Sequence, residues 1–338
     1  MKKRKKSAIT IHDVAEAAGV SISTVSRVLN NKDDVAPETS NRVRAVIRKL
    51  GYTSNLAAKS MRSRRTNVIG MVMTDVGDPF SVQVLRGVDR AIVKHAYDLI
   101  VYTGGTRDKL YAERERRYVS LLAGSITDGV IVVAPTAPRF STVSPVVVID
   151  PNKANPDYPA VIAFNCDGAQ EAMKYLTGLG HRRIGFIGGR PELQSAIQRL
   201  QGYQDGLTLA GIPFDPELVQ VGDYSKETGY TCAQRLLNLT EPPTAIFAAN
   251  DQSAFGVLQA AQEKGVCIPD DLSVVGFDNI PESAHSTPPL TTIDQFIIEM
   301  GAFAIDMLVK LVKGETLENN LCLIRTQLVV RNSCTCVQ

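Results

Sequence analysis

Hydrophobic positions along this chain follow two rhythms. Near the N-terminus they recur at helical spacing: Val14, Ala15 and Ala18 form one apolar stripe, and Val25, Val28 and Leu29 form another. Thr10 stands where it can cap a first helix predicted to start near Ile11, and Asp13 three residues later completes a capping box. Gly19 supplies a residue that tolerates positive φ at a sharp turn. Ser21 or Ser23 caps the second helix, whose outward face carries Ile22, Ser23, Thr24, Ser26 and Arg27. A third helix follows, with Pro37 and Glu38 in its first turn, Val43, Val46, Ile47 and Leu50 on one face, and Gly51 as its stop. The three helices share one small core, and the first two have the spacing of a helix-turn-helix whose second helix can enter DNA.

From Val68 onward the rhythm changes. Continuous β-rich runs (VIGMVM, LIVYT, GVIVVA, VVVID) alternate with helical segments over 80–95 and 110–124. A second series, RRIGFIGG, LVQVGD, TAIFAAN and LSVVGFD, alternates with helices near 167–179, 194–210, 226–238 and 252–264. This pattern predicts two parallel α/β halves in tandem, with a ligand cleft where the carboxyl ends of both sets of strands meet. Between the helical and α/β parts lies Asn55–Arg62, about two turns of helix-forming residues and too short to be stable alone. Pairing with a second copy on DNA would bring the small Ala57 and Ala58 faces together and present Met61 as an apolar wedge to the minor groove. Ser63-Arg64-Arg65-Thr66 reads as a basic linker.

Charge sharpens this division. The 338 residues carry a formal net charge of only +2, yet residues 1–66 hold 15 Lys or Arg against 5 Asp or Glu, and the remainder holds 22 against 30. A cationic module beside an acidic body is expected if only the small end meets a phosphate backbone. The opening Met-Lys-Lys-Arg-Lys-Lys is followed by no apolar run, so it reads as a solvated tail with nonspecific phosphate attraction and not as an export signal. The absence of any 18-residue apolar span predicts a cytoplasmic protein with no membrane partner. Cysteines 166, 232, 267, 322, 334 and 336 lack paired CxxC spacing and read as free thiols, the last two in a mobile tail. His12, His95, His181 and His285 read as surface or capping residues, and neither a metal nor a cofactor is expected.

The motifs TIHDVAEAAGVSISTVSRVLNN, VAPETSNRV, LGYTSNLAAKSM, VIGMVM, GHRRIGFIGG, RLQGY, PTAIFAANDQSAFG, LSVVGFDN and PPLTTIDQ give the chain a resemblance to the lac repressor and galactose repressor family over about Ala8–Asn332. The resemblance implies an all-α helix-turn-helix headpiece over 1–54 and a hinge helix and linker over 55–66. It also implies an α/β core of two Rossmann-like subdomains, similar to the type I periplasmic sugar-binding proteins. These would take 67–164 plus 295–325 and 165–294 plus 326–338, with three crossings between them. A homodimer on palindromic operator DNA is implied too. The C-terminal CLIRTQLVVRNSCTCVQ offers one strand and a tail in place of a tetramer-forming heptad helix.

Carried over by position, Ile22, Ser23 and Arg27 match the family's major-groove readers, and Thr10, Thr24, Asn30, Asn55, Ala58, Lys59 and Met61 complete the implied DNA contacts. Met61 stands where leucine is usual, Lys59 where arginine is frequent, and Ser54 where proline often precedes the hinge helix. Phe80, Asp150, Arg199, Tyr224, Asn250, Asp278 and Gln295 match the effector pocket. Their carboxylates, planar donors and apolar ring faces suit a polyhydroxylated sugar. Leu193 occupies a place where the purine-binding member resembles an arginine contact, which weakens a nucleobase effector. Ligand-driven release, ligand-driven recruitment and recruitment by a phosphoprotein all stay open. Two other classes fit less well. A pure sugar-binding protein leaves the cationic helix-turn-helix unexplained. An enzyme finds no P-loop and no GxGxxG after the first strand, and Gly188-Gly189 reads as easing a strand-to-loop turn.

Overall fold

A computed structural model describes residues 9–29, 34–52, 65–105 and 110–337. The chain divides into two compact units, Met1–Thr66 and Asn67–Gln338. The first contains α1 (Ile11–Ala18), α2 (Ile22–Leu29) and α3 (Pro37–Leu50). Val14, Ala15, Ala18, Val25, Val28 and Val43 are buried together, with Leu29, Val46, Ile47 and Leu50 packed around them. Gly19 sits at φ 63° and Gly51 at φ 64°, and the two residues after each helix end return N–H bonds to its last turn. The stretch expected as a hinge helix lies outside the described residues.

The second unit is built on two six-stranded sheets. One holds β1 (Val68–Met73), β2 (Asp98–Thr103), β3 (Gly129–Val133), β4 (Val146–Ile149), β5 (Ala160–Ala163) and β11 (Leu321–Ile324), all parallel, in the order β11-β5-β4-β3-β1-β2. The other holds β6 (Ile184–Ile187), β7 (Val219–Gln220), β8 (Ala245–Ala248), β9 (Ser273–Asp278), β10 (Thr291–Asp294) and β12 (Gln327–Val329), in the order β12-β10-β9-β8-β6-β7, with only β12 antiparallel. β1, β3 and β9 are buried at every position, as central strands of a covered parallel sheet are. LIVYT forms the edge strand β2 and is only half-buried.

Helices cover both faces of each sheet. Around the first lie α4 (Pro79–Ile92), α5 (Tyr111–Ser125) and α10 (Ile297–Lys313). Around the second lie α6 (Asn165–Gly178), α7 (Gln194–Leu209), α8 (Lys226–Leu237) and α9 (Asp251–Lys264). The chain passes between the sheets at Phe164, at Gln295-Phe296 and at Arg325-Thr326. α4 and α10 cross backbone to backbone. A Cβ on Gly87 would lie 1.9 Å from the Ile298 carbonyl oxygen, and one on Gly301 would lie 2.3 Å from that of Val84. Because carbonyls on a helix cannot step aside, Gly87→Ala is expected to destabilise this unit by about 3 kcal/mol, read as a lowered transition in scanning calorimetry. An unchanged transition would mean that the two helices separate freely.

Three readings of the sequence are corrected here. The C-terminal segment forms two short strands in different sheets, β11 and β12, where one was expected. The tail is pinned, since Val274 N–H donates to the Ser333 carbonyl (2.8 Å), Thr335 N–H to Ser273 Oγ (3.0 Å) and Val337 N–H to the Leu179 carbonyl (3.0 Å). Burial pushes the Cys334 thiol up to about 11. His181 is only 3% exposed, with Nδ1 3.0 Å from Thr244 Oγ1 and Nε2 2.9 Å from Ser273 Oγ, so burial holds it below the usual imidazole range. Among the described residues no group of metal-ligating side chains occurs, and no helix is long and apolar enough to cross a membrane.

Candidate functional site

Two sites are built from the residues singled out above. On the headpiece, Ser21 Oγ accepts the Thr24 N–H (3.1 Å), which caps α2, and lies 2.7 and 2.8 Å from the Ser23 and Thr24 hydroxyls. This polar knot fixes the start of the helix. Ser23 and Arg27 sit one turn apart on α2 and are exposed, Arg27 by 58% with a 3.4 Å contact to Asp34 Oδ2. Thr10 donates from both its N–H (2.7 Å) and its hydroxyl (2.8 Å) to Asp13, which holds that carboxyl below its usual range. Ile22 is half-buried against the headpiece core, so packing competes with its expected base contact. Asn30, Asn55, Ala58, Lys59 and Met61 lie outside the described residues.

In the α/β unit all seven expected effector residues line one cavity of about 470 Å³. Its floor is made at strand ends: Asp150 follows β4, Asp278 closes β9 and Gln295 follows β10. Phe80 comes from the first turn of α4, Arg199 from α7, Tyr224 from the loop before α8, and Asn250 from the N-cap of α9. Asp150 (φ 52°), Tyr224 (φ 74°) and Asp278 (φ 117°) all adopt the left-handed backbone region, which is sparsely populated and strained for residues with a side chain.

Arg199 organises the interior of the cleft. Its Nε donates to Asn165 Oδ1 (2.9 Å), Nη1 to the Ala249 carbonyl (2.5 Å) and to Asp278 Oδ1 (3.4 Å), and Nη2 to Gln295 Oε1 (3.4 Å). The guanidinium lies 3.7 Å from the Phe277 ring centroid, and Gln295 Nε2 donates in turn to Asp278 Oδ1. Burial pushes Asp278 up to about 7 against the opposing pull of Arg199, with the Asp78 and Asp150 carboxylates adding to the rise. A folded value above the unfolded 3.8 means that the folded state holds the proton more tightly. The stability gained is therefore complete below pH 4 and is lost as pH rises through 7. Urea unfolding should accordingly show a larger drop in stability from pH 5 to pH 8 in the wild type than in Asp278→Asn. Equal drops would remove Asp278 as the source.

Asn250 Oδ1 accepts the Ser253 N–H (2.9 Å) and its Nδ2 donates to the Tyr224 carbonyl (3.0 Å), so the amide caps α9 and steadies a neighbour while it lines the cavity. Asp150 Oδ2 accepts the Ser195 hydroxyl (3.0 Å), whose oxygen lies 3.1 Å from that of Tyr224. Burial pushes the Tyr224 phenol up to about 12. A Cβ on Gly189 would lie 2.0 Å from the Tyr224 ring, so that glycine makes room for the aromatic wall in addition to turning the chain. Thr74, Asp78, Arg190, Ser195 and Asp223 also line the cavity and were not singled out from sequence. Asp78 caps α4 by accepting the Ser81 N–H, and Asp223 accepts the Ser225 N–H in the turn before α8, roles that a three-residue spacing rule and a turn rule could have revealed.

Residues 10–55 match the family described as bacterial regulatory proteins, lacI family, and residues 173–334 match the periplasmic binding protein-like domain. The chain is 34% identical over 332 residues to the HTH-type transcriptional repressor PurR of Mannheimia succiniciproducens, covering 96% of this chain and 98% of that one. Among solved structures, the lac repressor dimer bound to operator and the anti-inducer ONPF is similar at a TM-score of 0.84 and 28% identity, covering 97% of this chain and 100% of that one. The complex of the transcriptional regulator CelR with cellobiose is similar at a TM-score of 0.73 and 31% identity, covering 96% and 99%. A helix-turn-helix joined to a periplasmic-binding-protein-like cleft, similar along almost its whole length to transcriptional repressors, places the chain in the lacI family of bacterial regulatory proteins: it is a DNA-binding transcriptional regulator.

Proposed function

We propose that the protein is a cytoplasmic, homodimeric repressor that reads palindromic operator DNA with Ser23 and Arg27 of α2 and is released from it by a small sugar bound in the cleft. The observation that carries the effector is the cleft itself. Strand-end carboxylates, one guanidinium fixed by four partners and two aromatic walls converge on one cavity. Carboxylates accept from sugar hydroxyls, the guanidinium edge donates to them, and ring faces cover the C–H side. The structural similarity to the CelR complex with cellobiose supports a sugar, and that to the operator-bound lac repressor dimer supports the DNA and the dimer. Leu193, buried and apolar in the cavity wall, offers no hydrogen bond to a nucleobase edge.

Ligand that binds one arrangement of the two sheets better than another shifts the dimer between DNA-competent and released states. A coupling of about 1–3 kcal/mol changes operator affinity about 5- to 150-fold. The test is fluorescence anisotropy of the full chain, at fixed salt, on a palindromic duplex with a central CG step against a scrambled one, titrated with sugars and purines. Preferential binding weakened by a sugar is the expected result. Strengthening by a sugar would overturn release, and a response to purines alone would overturn the sugar.

A further inference from the structure

Arg190 follows β6 and the Gly188-Gly189 pair, lines the cleft and is only 5% exposed. Its guanidinium is poorly served there. Nη1 is screened from solvent and has no hydrogen-bond partner, and Nε lies 3.2 Å from Glu192 Oε1 without hydrogen-bond alignment. Nη2 donates to the Ala134 carbonyl at a long 3.4 Å. Arg199 in the same cavity shows what a satisfied guanidinium looks like, with four partners. A guanidinium cannot shed its proton to escape the cost of burial, so one left this short of acceptors calls for a partner that is absent from the protein itself. Ala134 follows β3 of the first sheet, so Arg190, which follows a strand of the second, already reaches across the cleft.

The lining also says what kind of acceptor fits. Asp78, Asp150, Glu192, Asp223 and Asp278 contribute five carboxylates against the two guanidiniums of Arg190 and Arg199. A phosphate or carboxylate entering the cavity meets an excess of like charge, and a hydroxyl, ring or carbonyl oxygen does not. We propose that Arg190 is a specificity-determining residue of the effector site, donating to an acceptor oxygen of an uncharged sugar and selecting it over phosphorylated or acidic counterparts. This inference rests on the sugar reading above.

Isothermal titration of the full chain with glucose, ribose, cellobiose, glucose 6-phosphate and glucuronate tests it, on the wild type, Arg190→Met and Arg190→Lys. The expected result is that a neutral member binds the wild type more tightly than the anionic members do. Arg190→Met should then lose at least about tenfold in that affinity, with Arg190→Lys in between. The ligand-free melting temperature of Arg190→Met should hold or rise, because an under-bonded buried cation has been removed, whereas a merely structural residue would lower it. Unchanged affinity in both variants would overturn the assignment of Arg190, and tighter binding of glucose 6-phosphate or glucuronate would overturn the uncharged class. Silence of the wild type towards every sugar would instead overturn the sugar reading, and this inference with it.

Discussion

Arg199→Ala should abolish the effector response and cost about 3–5 kcal/mol of unfolding stability, the range for removing one partner of a buried ion pair. The large figure follows from what is left behind. Asp278, Gln295, Asn165 and the Ala249 carbonyl all lose a donor, in a cavity wall where water enters poorly. Phe277 loses the cation stacked on its face. Asp278 should then stay protonated to higher pH, because the group that opposed its rise is gone. Urea unfolding at pH 7 gives the stability change, and anisotropy on operator DNA with and without effector gives the response. If ligand still released DNA from a folded Arg199→Ala protein, the guanidinium would be scaffolding and the reading of the cleft floor would be wrong.

Arg27→Ala should weaken operator binding by about 2–6 kcal/mol in the proposed dimer, since each bidentate guanidinium–guanine contact contributes about 1–3 kcal/mol of discrimination and two headpieces would lose one each. Arg27 is free to make that contact, because its ion pair with Asp34 is solvent-exposed on both sides and such pairs are weak. The loss should fall on the operator far more than on scrambled DNA at the same salt, where only a general phosphate attraction is weakened. Equal loss on both duplexes would move Arg27 from base reading to backbone contact.

How much of this was legible depends on how local the cause is. α1–α3 could be read because caps, turn glycines and apolar stripes act within a few residues, and Ser21, Gly19 and Gly51 hold the places expected of them. β1 and β3 were legible as unbroken apolar runs. β5 and β10 are short, and β10 begins with two threonines, one of which donates to the buried Asp251. Such strands are defined by partners far away in the chain, and no periodicity marks them. The same reason hid Arg190, whose significance lies in the acceptors it lacks, and misled the reading of His181 and Cys334, whose burial is supplied by distant segments. The seven cleft residues emerged from family resemblance, since strand ends scattered from Phe80 to Gln295 share no local pattern.

The three short links between the sheets carry a mechanical consequence. One residue at Phe164 and two each at Gln295-Phe296 and Arg325-Thr326 tie the halves together side by side. Parallel tethers of that length forbid sliding or separation and leave bending as the soft motion, much as several short straps turn two boards into a door. Cutting one strap with a protease should give two fragments on a denaturing gel that still migrate as one particle under native conditions.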